Sequence, residues 1–260
     1  MIISIVNQKG GVGKTTTAVN LADQLARRKQ KTLLIDLDPQ GNTTSSFGID
    51  KNEPEHTIYD TLINNLPVED IIIEEARKNL DLIPSNIDLA GSEVELVSIV
   101  SRETILKNVL ESIKDNYQII LIDCPPSLGL LTINALTSSN SIIIPIQAEY
   151  YALEGLSQLL GTVGMINEEL NPDLYIMGVL VTMFDTRTQL AHQVSDEIQN
   201  FFGDLVFDTI IPRNVRLSEA PSFGIPIQEH DKWSKGARSY KALAREVIKR
   251  LDWEPKKLFE

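Results

Sequence analysis

Lys9-Gly10-Gly11-Val12-Gly13-Lys14-Thr15-Thr16 stands just after a buried-strand candidate at 2–7, and a helical pattern begins inside it. A strand, a glycine-rich turn and a helix in that order make a backbone nest. Gly10, Gly11 and Gly13 free the chain to turn successive N–H groups, Val12 included, toward one point. The positive end of the helix dipole falls on the same point, so a phosphate is the expected guest. Lys14 is spaced to reach the β and γ oxygens of a triphosphate, and the Thr15 hydroxyl to ligate Mg²⁺.

Working outward, a helix is expected over 15–29, with Ala18, Leu21, Ala22 and Leu25 three and four residues apart. Short runs rich in Ile, Val and Leu at 32–36, 80–84, 118–123, 141–146, 176–181 and 206–211 predict further strands. Helical patterns fall between them at 93–98, 103–114, 130–137, 153–167 and 190–201. The segment 50–76 is polar and irregular, and reads as short helices on one edge. Strands that are apolar on both faces and alternate with helices predict an α/β domain. It is a doubly wound, mostly parallel twisted sheet flanked by helices, and one domain over 1–260 is expected.

Two strand ends carry acids. Ile119-Ile120-Leu121-Ile122 runs into Asp123, and 32–36 exits through Asp36-Leu37-Asp38-Pro39-Gln40-Gly41-Asn42. Taken singly, one is a buried strand ending in an acid and the other a turn. After a phosphate loop they supply the carboxylates that support Mg²⁺ directly or through water.

Composition narrows the classes. At 260 residues, 42% hydrophobic and 23% charged, the chain is ordinary globular material. Its one cysteine, Cys124, excludes an internal disulfide framework and an all-cysteine metal site within one chain. The longest apolar runs are far shorter than the ~20 residues of a membrane span. Polar Asn7, Gln8 and Lys9 cut off the first run, so no signal peptide is expected. A soluble, cytoplasmic protein without stable membrane insertion follows as the expectation.

The formal charge of −12 should repel a polyanion. Yet residues 231–250 hold seven basic side chains against two acids, a local +5, which leaves 1–230 at −16. At 100° per residue Arg238, Lys241, Arg245 and Lys249 fall in one sector about 80° wide. Tyr240, Leu243, Ala244, Val247, Ile248 and Leu251 fill an adjoining apolar sector. The apolar side is expected to dock and the basic side to face solvent.

The phosphate loop departs from the pattern G-x-x-x-x-G-K-[ST]: Gln8 stands at its first glycine, and Lys9 is a second lysine. It resembles the deviant Walker A loop, K-G-G-x-G-K-[ST], of the ParA/MinD superfamily of ATPases. The resemblance implies that residues 9–16 bind ATP and that Thr15, Asp36 and Asp123 serve Mg²⁺. It also implies a catalytic set of Lys9, Lys14 and Asp38. Asp38 would position or polarise the attacking water, and Lys9 would reach across a nucleotide-sandwiched homodimer to the partner's ATP. Two triphosphates buried face to face need that extra charge.

Pro212-Arg213-Asn214-Val215-Arg216-Leu217-Ser218-Glu219-Ala220-Pro221 and Asp123-Cys124-Pro125-Pro126-Ser127 are closely similar to segments of Soj-type partition proteins. So are Asn7-Gln8-Lys9 and Asp38-Pro39-Gln40-Gly41-Asn42, and the likeness spans essentially the whole chain. It implies an ATPase, slow without its partner, that dimerises on ATP and binds double-stranded DNA without sequence preference on the nucleoid. A ParB/Spo0J-type centromere-binding protein would stimulate hydrolysis and release it. By the same resemblance Pro212 and Asn214 contact adenine, with Met183 on its other face. Arg187 and Arg216 match DNA-binding arginines, which Lys235, Arg238, Lys241 and Arg245 would join.

A MinD-like membrane-positioning ATPase shares the loop, but the tail with Trp253, Leu258 and Phe259 is broken by Pro255 and makes a poor interfacial helix. A dethiobiotin-synthetase-like ligase would couple the same loop to a metabolite. A nitrogenase-iron-protein relative needs two cysteines per subunit, which this sequence lacks. The first strand begins almost at Met1, so no N-terminal helix-turn-helix domain is expected.

Overall fold

Ile2 and Ile3, neighbours in sequence, sit in different cores: Ile2 packs with Leu33, Ile35, Ile120 and Ile122, and Ile3 with Leu34, Ile119, Leu121 and Ile143. Successive side chains of a strand point to opposite faces, so one apolar run feeds two layers. The computed structural model describes residues 1–149 and 156–252. The start of the helix expected at 153, and Trp253, Pro255, Leu258 and Phe259, lie outside them.

Seven strands form one sheet: β1 (Ile2–Ile5), β2 (Thr32–Asp36), β3 (Ile73–Arg77), β4 (Leu80–Ile83), β5 (Ile119–Asp123), β6 (Ser141–Gln147) and β7 (Tyr175–Thr182). Their order is β3-β4-β2-β5-β1-β6-β7. All neighbours are parallel except β3, which runs against β4. The winding reverses at β1, so the chain leaving β1 opens over a crevice at the carboxyl ends of the strands.

The helices are α1 (Lys14–Ala26), α2 (Asn42–Ser45), α3 (Ile58–Asn64), α4 (Leu89–Glu95), α5 (Ile105–Glu111), α6 (Leu130–Ser138), α7 (Leu156–Glu169), α8 (Gln189–Phe202), α9 (Val215–Glu219), α10 (Ile227–His230) and α11 (Lys235–Arg250). Helices α3 to α8 cover one face through Leu62, Leu110, Leu136, Val163 and Ile198. Helices α1 and α11 cover the other through Leu21, Leu25, Tyr240 and Leu243.

Three sequence expectations change. The run 206–211 is not a strand of the sheet; it makes one bridge, Val206 to Val179. Phe207 N–H and Ile211 N–H donate to Val179 and Val181 carbonyls, but the N–H groups of Asp208 and Thr209 go to the Glu246 carboxylate of α11. A side chain has taken the donors a ladder needs. The polar segment 50–76 holds the expected short helices, α3 and a single 3-10 turn at Val68–Ile71, but also most of β3, whose half-exposed Glu-rich sequence suits an edge strand. The helix expected at 93–98 begins earlier, at Leu89.

Candidate nucleotide site and basic face

The phosphate loop turns through left-handed backbone at Gly11 (φ +76°) and Gly13 (φ +91°), a region where a side chain is strained; Gly10 does not enter it. Gly13 is also the cap of α1. Asn7 fixes the entry: its amide donates to Pro145 O at 2.8 Å, and its Oδ1 accepts Lys9 N–H at 2.9 Å. Thr182 of β7 donates to Val12 O at 2.8 Å. The concavity is thus held from both sides.

Lys14 is buried, and its ammonium donates to Lys9 O at 3.2 Å. Burial holds its pKa below the ordinary lysine value, with the Asp123 charge opposing that shift. A desolvated ammonium at the glycine loop and the N-terminal end of α1 is complementary to an anion. Lys9 is different: its side chain is 40% exposed and meets Glu149 at 3.5 Å.

Thr15 of α1 and Thr43 of α2 both donate to Asp123 Oδ2, each at 2.8 Å. The other oxygen, Oδ1, is buried without a hydrogen-bond partner. Burial pushes Asp123 up to about 6. An orphaned, desolvated carboxylate oxygen beside a threonine hydroxyl at a phosphate loop fits a hard cation. Among the described residues no three His, Cys, Asp or Glu side chains cluster as a metal cage. Mg²⁺ is usually held by one or two carboxylates together with substrate phosphates, and Asp123 beside the phosphate loop is such a carboxylate.

Asp36, paired in register with Asp123, is buried too. Its Oδ2 accepts Thr44 N–H at 2.8 Å and Thr44 Oγ1–H at 2.7 Å, and its Oδ1 accepts Asp38 N–H at 3.3 Å. Burial, then the neighbouring Asp123 charge, pushes it up to about 7. Both of its oxygens face the 38–44 loop. Asp38 Oδ1 accepts Gln40 N–H at 2.9 Å. The threonine pair that touches both carboxylates was not singled out in the sequence, although it directly follows Asn42.

A cavity of about 330 Å³ adjoins the loop and is lined by Gly13, Thr16, Met183, Pro212, Asn214 and Tyr240, among others. It therefore brings together the three residues expected around adenine. Asn214 Oδ1 is buried there without a partner, a free acceptor for an N–H donor. Met183 sits at φ +50°, rare for a residue with a side chain.

The basic side of α11 is as expected: Lys235, Arg238, Lys241, Arg245 and Lys249 are exposed while Tyr240, Leu243, Ala244 and Val247 are buried. Ser234 caps the helix by accepting Ala237 N–H at 3.0 Å. Arg250 does not belong to this face. It is 13% exposed, donates to the carbonyls of Met177, Leu205 and Val206, and lies over the Phe207 ring. In its place Arg28 of the α1 exit joins the face, donating to Lys241 O at 2.8 Å. Arg216 and Arg187 stand apart from α11 in sequence and are held by their own acids. Arg216 meets Glu219 at 2.8 Å and Asp231 at 3.8 Å, and Arg187 meets Asp185 at 2.7 Å.

Buried Cys124, beside Asp123, has its thiol pushed up to about 12 by desolvation and is unreactive there. Among the described residues no helix is long and apolar enough to cross a membrane.

The family described as "AAA domain" matches residues 1–176. The chain is 58% identical to the sporulation initiation inhibitor protein Soj of Bacillus subtilis, over 95% of this chain and 97% of that one. It is 53% identical to the chromosome partitioning protein ParA of Myxococcus xanthus, over 96% and 88%. Among solved structures it is similar to a cobyrinic acid a,c-diamide synthase from Mycobacterium smegmatis with bound ATP analog and magnesium. That likeness has a TM-score of 0.85 and 32% identity, covering 100% of this chain and 99% of the other.

Proposed function

The chain belongs to the Soj/ParA family of chromosome-partitioning ATPases, and we propose that it is a switch whose grip on DNA is timed by Mg-ATP hydrolysis. The loop 9–16 binds the phosphates, Lys14 neutralises the β and γ oxygens, and Met183, Pro212 and Asn214 hold the base. Thr15 and Asp123 would hold Mg²⁺, which would supply charge neutralisation to the triphosphate, with Asp36 bracing the adjoining loop. Asp38 orients the attacking water. Lys9, exposed at the loop, reaches the triphosphate of a second subunit and makes ATP the glue of a homodimer.

The output is electrostatic. One subunit of net −12 carries a single basic face and holds a polyanion weakly. A dimer puts two such faces on one body and gains by effective concentration. Phosphate contacts are blind to sequence and steep in salt, at about −0.9 in log–log slope per contact. A ParB/Spo0J-type partner that accelerates hydrolysis then releases the protein from the nucleoid.

The observation that carries this reading is the packing of the basic helix on the nucleotide helix. Tyr240 of α11 meets Thr17 of α1 at 3.2 Å, one turn from the phosphate loop, with the α11 cations turned outward. The test is a DNA-binding titration with ATP, with ADP and without nucleotide at two salt concentrations. Tight binding is expected only with ATP and is lost in Arg216→Ala protein that still dimerises. Equal affinity in all three nucleotide conditions overturns the proposal.

A further inference from the structure

Ser85 follows β4 and is fully buried, far in sequence from every motif of the nucleotide site. It touches the 38–44 loop three times. Its hydroxyl donates to Asp38 O at 2.9 Å. Its N–H donates to Thr44 Oγ1 at 3.0 Å, and that same hydroxyl donates to Asp36 Oδ2 at 2.7 Å. Its carbonyl lies where a Cβ on Gly41 would come within 2.8 Å. Gly41 is itself left-handed (φ +61°), and its N–H is the second donor to Asp38 O, at 2.9 Å.

The loop is therefore fixed at its beginning, middle and end from one residue on the neighbouring strand. The Asp38 carbonyl carries two donors, which sets its peptide plane and hence the direction in which its Cβ leaves the chain. Among the described residues its carboxylate is anchored through Oδ1 alone, to Gln40 N–H, so its aim depends on the backbone beneath it.

We propose that Ser85 is a positioning residue for hydrolysis, holding Asp38 at the angle from which it orients water. The proposal rests on the reading of Asp38 given above. Without the hydroxyl, Asp38 O keeps one donor and the loop samples other peptide orientations, while the phosphate loop, Lys14 and the base cavity are untouched. The signature is a loss in kcat without a loss in nucleotide affinity.

The test compares wild type, Ser85→Ala, Ser85→Cys and Asp38→Asn by single-turnover ATP hydrolysis, by binding of a fluorescent ATP analogue, and by amide exchange over 38–44 without nucleotide. Ser85→Ala is expected to hydrolyse roughly tenfold more slowly, the effect of one buried hydrogen bond. Its affinity should stay within about twofold, and exchange at 38–44 should quicken. The near-isosteric Ser85→Cys, a weaker donor, is expected between Ser85→Ala and wild type. Slow Asp38→Asn with full-rate Ser85→Ala overturns the role of Ser85 alone. Full-rate Asp38→Asn overturns the reading of Asp38, and the role of Ser85 with it. A Ser85→Ala defect that appears equally in nucleotide affinity marks a merely structural residue and also refutes the proposal.

Discussion

Raising the pH of the nucleotide-free protein from 5 to 8 should destabilise it through Asp36 and Asp123. Both carboxyls are buried, and burial pushes them up to about 7 and about 6 from an ordinary 3.8. At pH 5 the native protein keeps protons that the unfolded chain has released. Stability therefore falls as pH rises, and this contribution is lost as the pH passes through 6 and 7. Each pH decade between 5 and the raised value is worth about 1.4 kcal/mol, so Asp36 alone accounts for about 3 kcal/mol between pH 5 and pH 8. For a chain of this size that is on the order of 10 °C in Tm. The assay is thermal unfolding across that pH range for wild type and Asp36→Asn, which keeps the shape and removes the charge. The wild-type Tm should fall the more steeply, and Mg-ATP should flatten its curve, because a cation favours both ionised forms. Parallel curves for the two proteins would show that the pair carries no uncompensated charge, and the argument from burial would fail.

Lys14→Met should slow hydrolysis by about 10²–10³-fold while leaving the nucleotide-free Tm unchanged or higher, since it removes a desolvated charge; a lower Tm contradicts this. Gly224→Ala places a Cβ 2.5 Å from Gly48 Cα at φ +64°, and should cost about 2–3 kcal/mol in urea unfolding. Arg250→Met strands three carbonyls and should cost about 3 kcal/mol, whereas Lys249→Met, its exposed neighbour, should stay within about 0.5 kcal/mol. Similar losses in both would place Arg250 on the surface.

The phosphate loop was legible because its chemistry is local: a nest needs glycines and a lysine at fixed spacing, and nothing distant alters that. The parallel sheet was legible in its central strands for a related reason, since Ile119 to Ile122 must be apolar on both faces whatever their neighbours. What the sequence hid was set by partners far along the chain. The run 206–211 has the composition of a strand, yet Glu246 takes two of its donors. Arg250 lies beside Lys249 and reads as one more surface cation, while its fold partners are carbonyls 44 and more residues away. Ser85 carries no local signal at all. Its place is fixed by the sheet order, which sets β4 beside β2.

Arg250 also settles how stiff the basic row is. With the far end of α11 bolted to the sheet edge and the near end closed by Ser234, the helix cannot slide or roll without stranding buried carbonyls. Lys235, Arg238, Lys241 and Arg245 become the teeth of a comb, stepping three and four residues, or about 4.5–6 Å, along a fixed axis. On the reading proposed above, a duplex meeting that comb would find its spacing already set, and little more than the tips of four side chains would remain to be ordered.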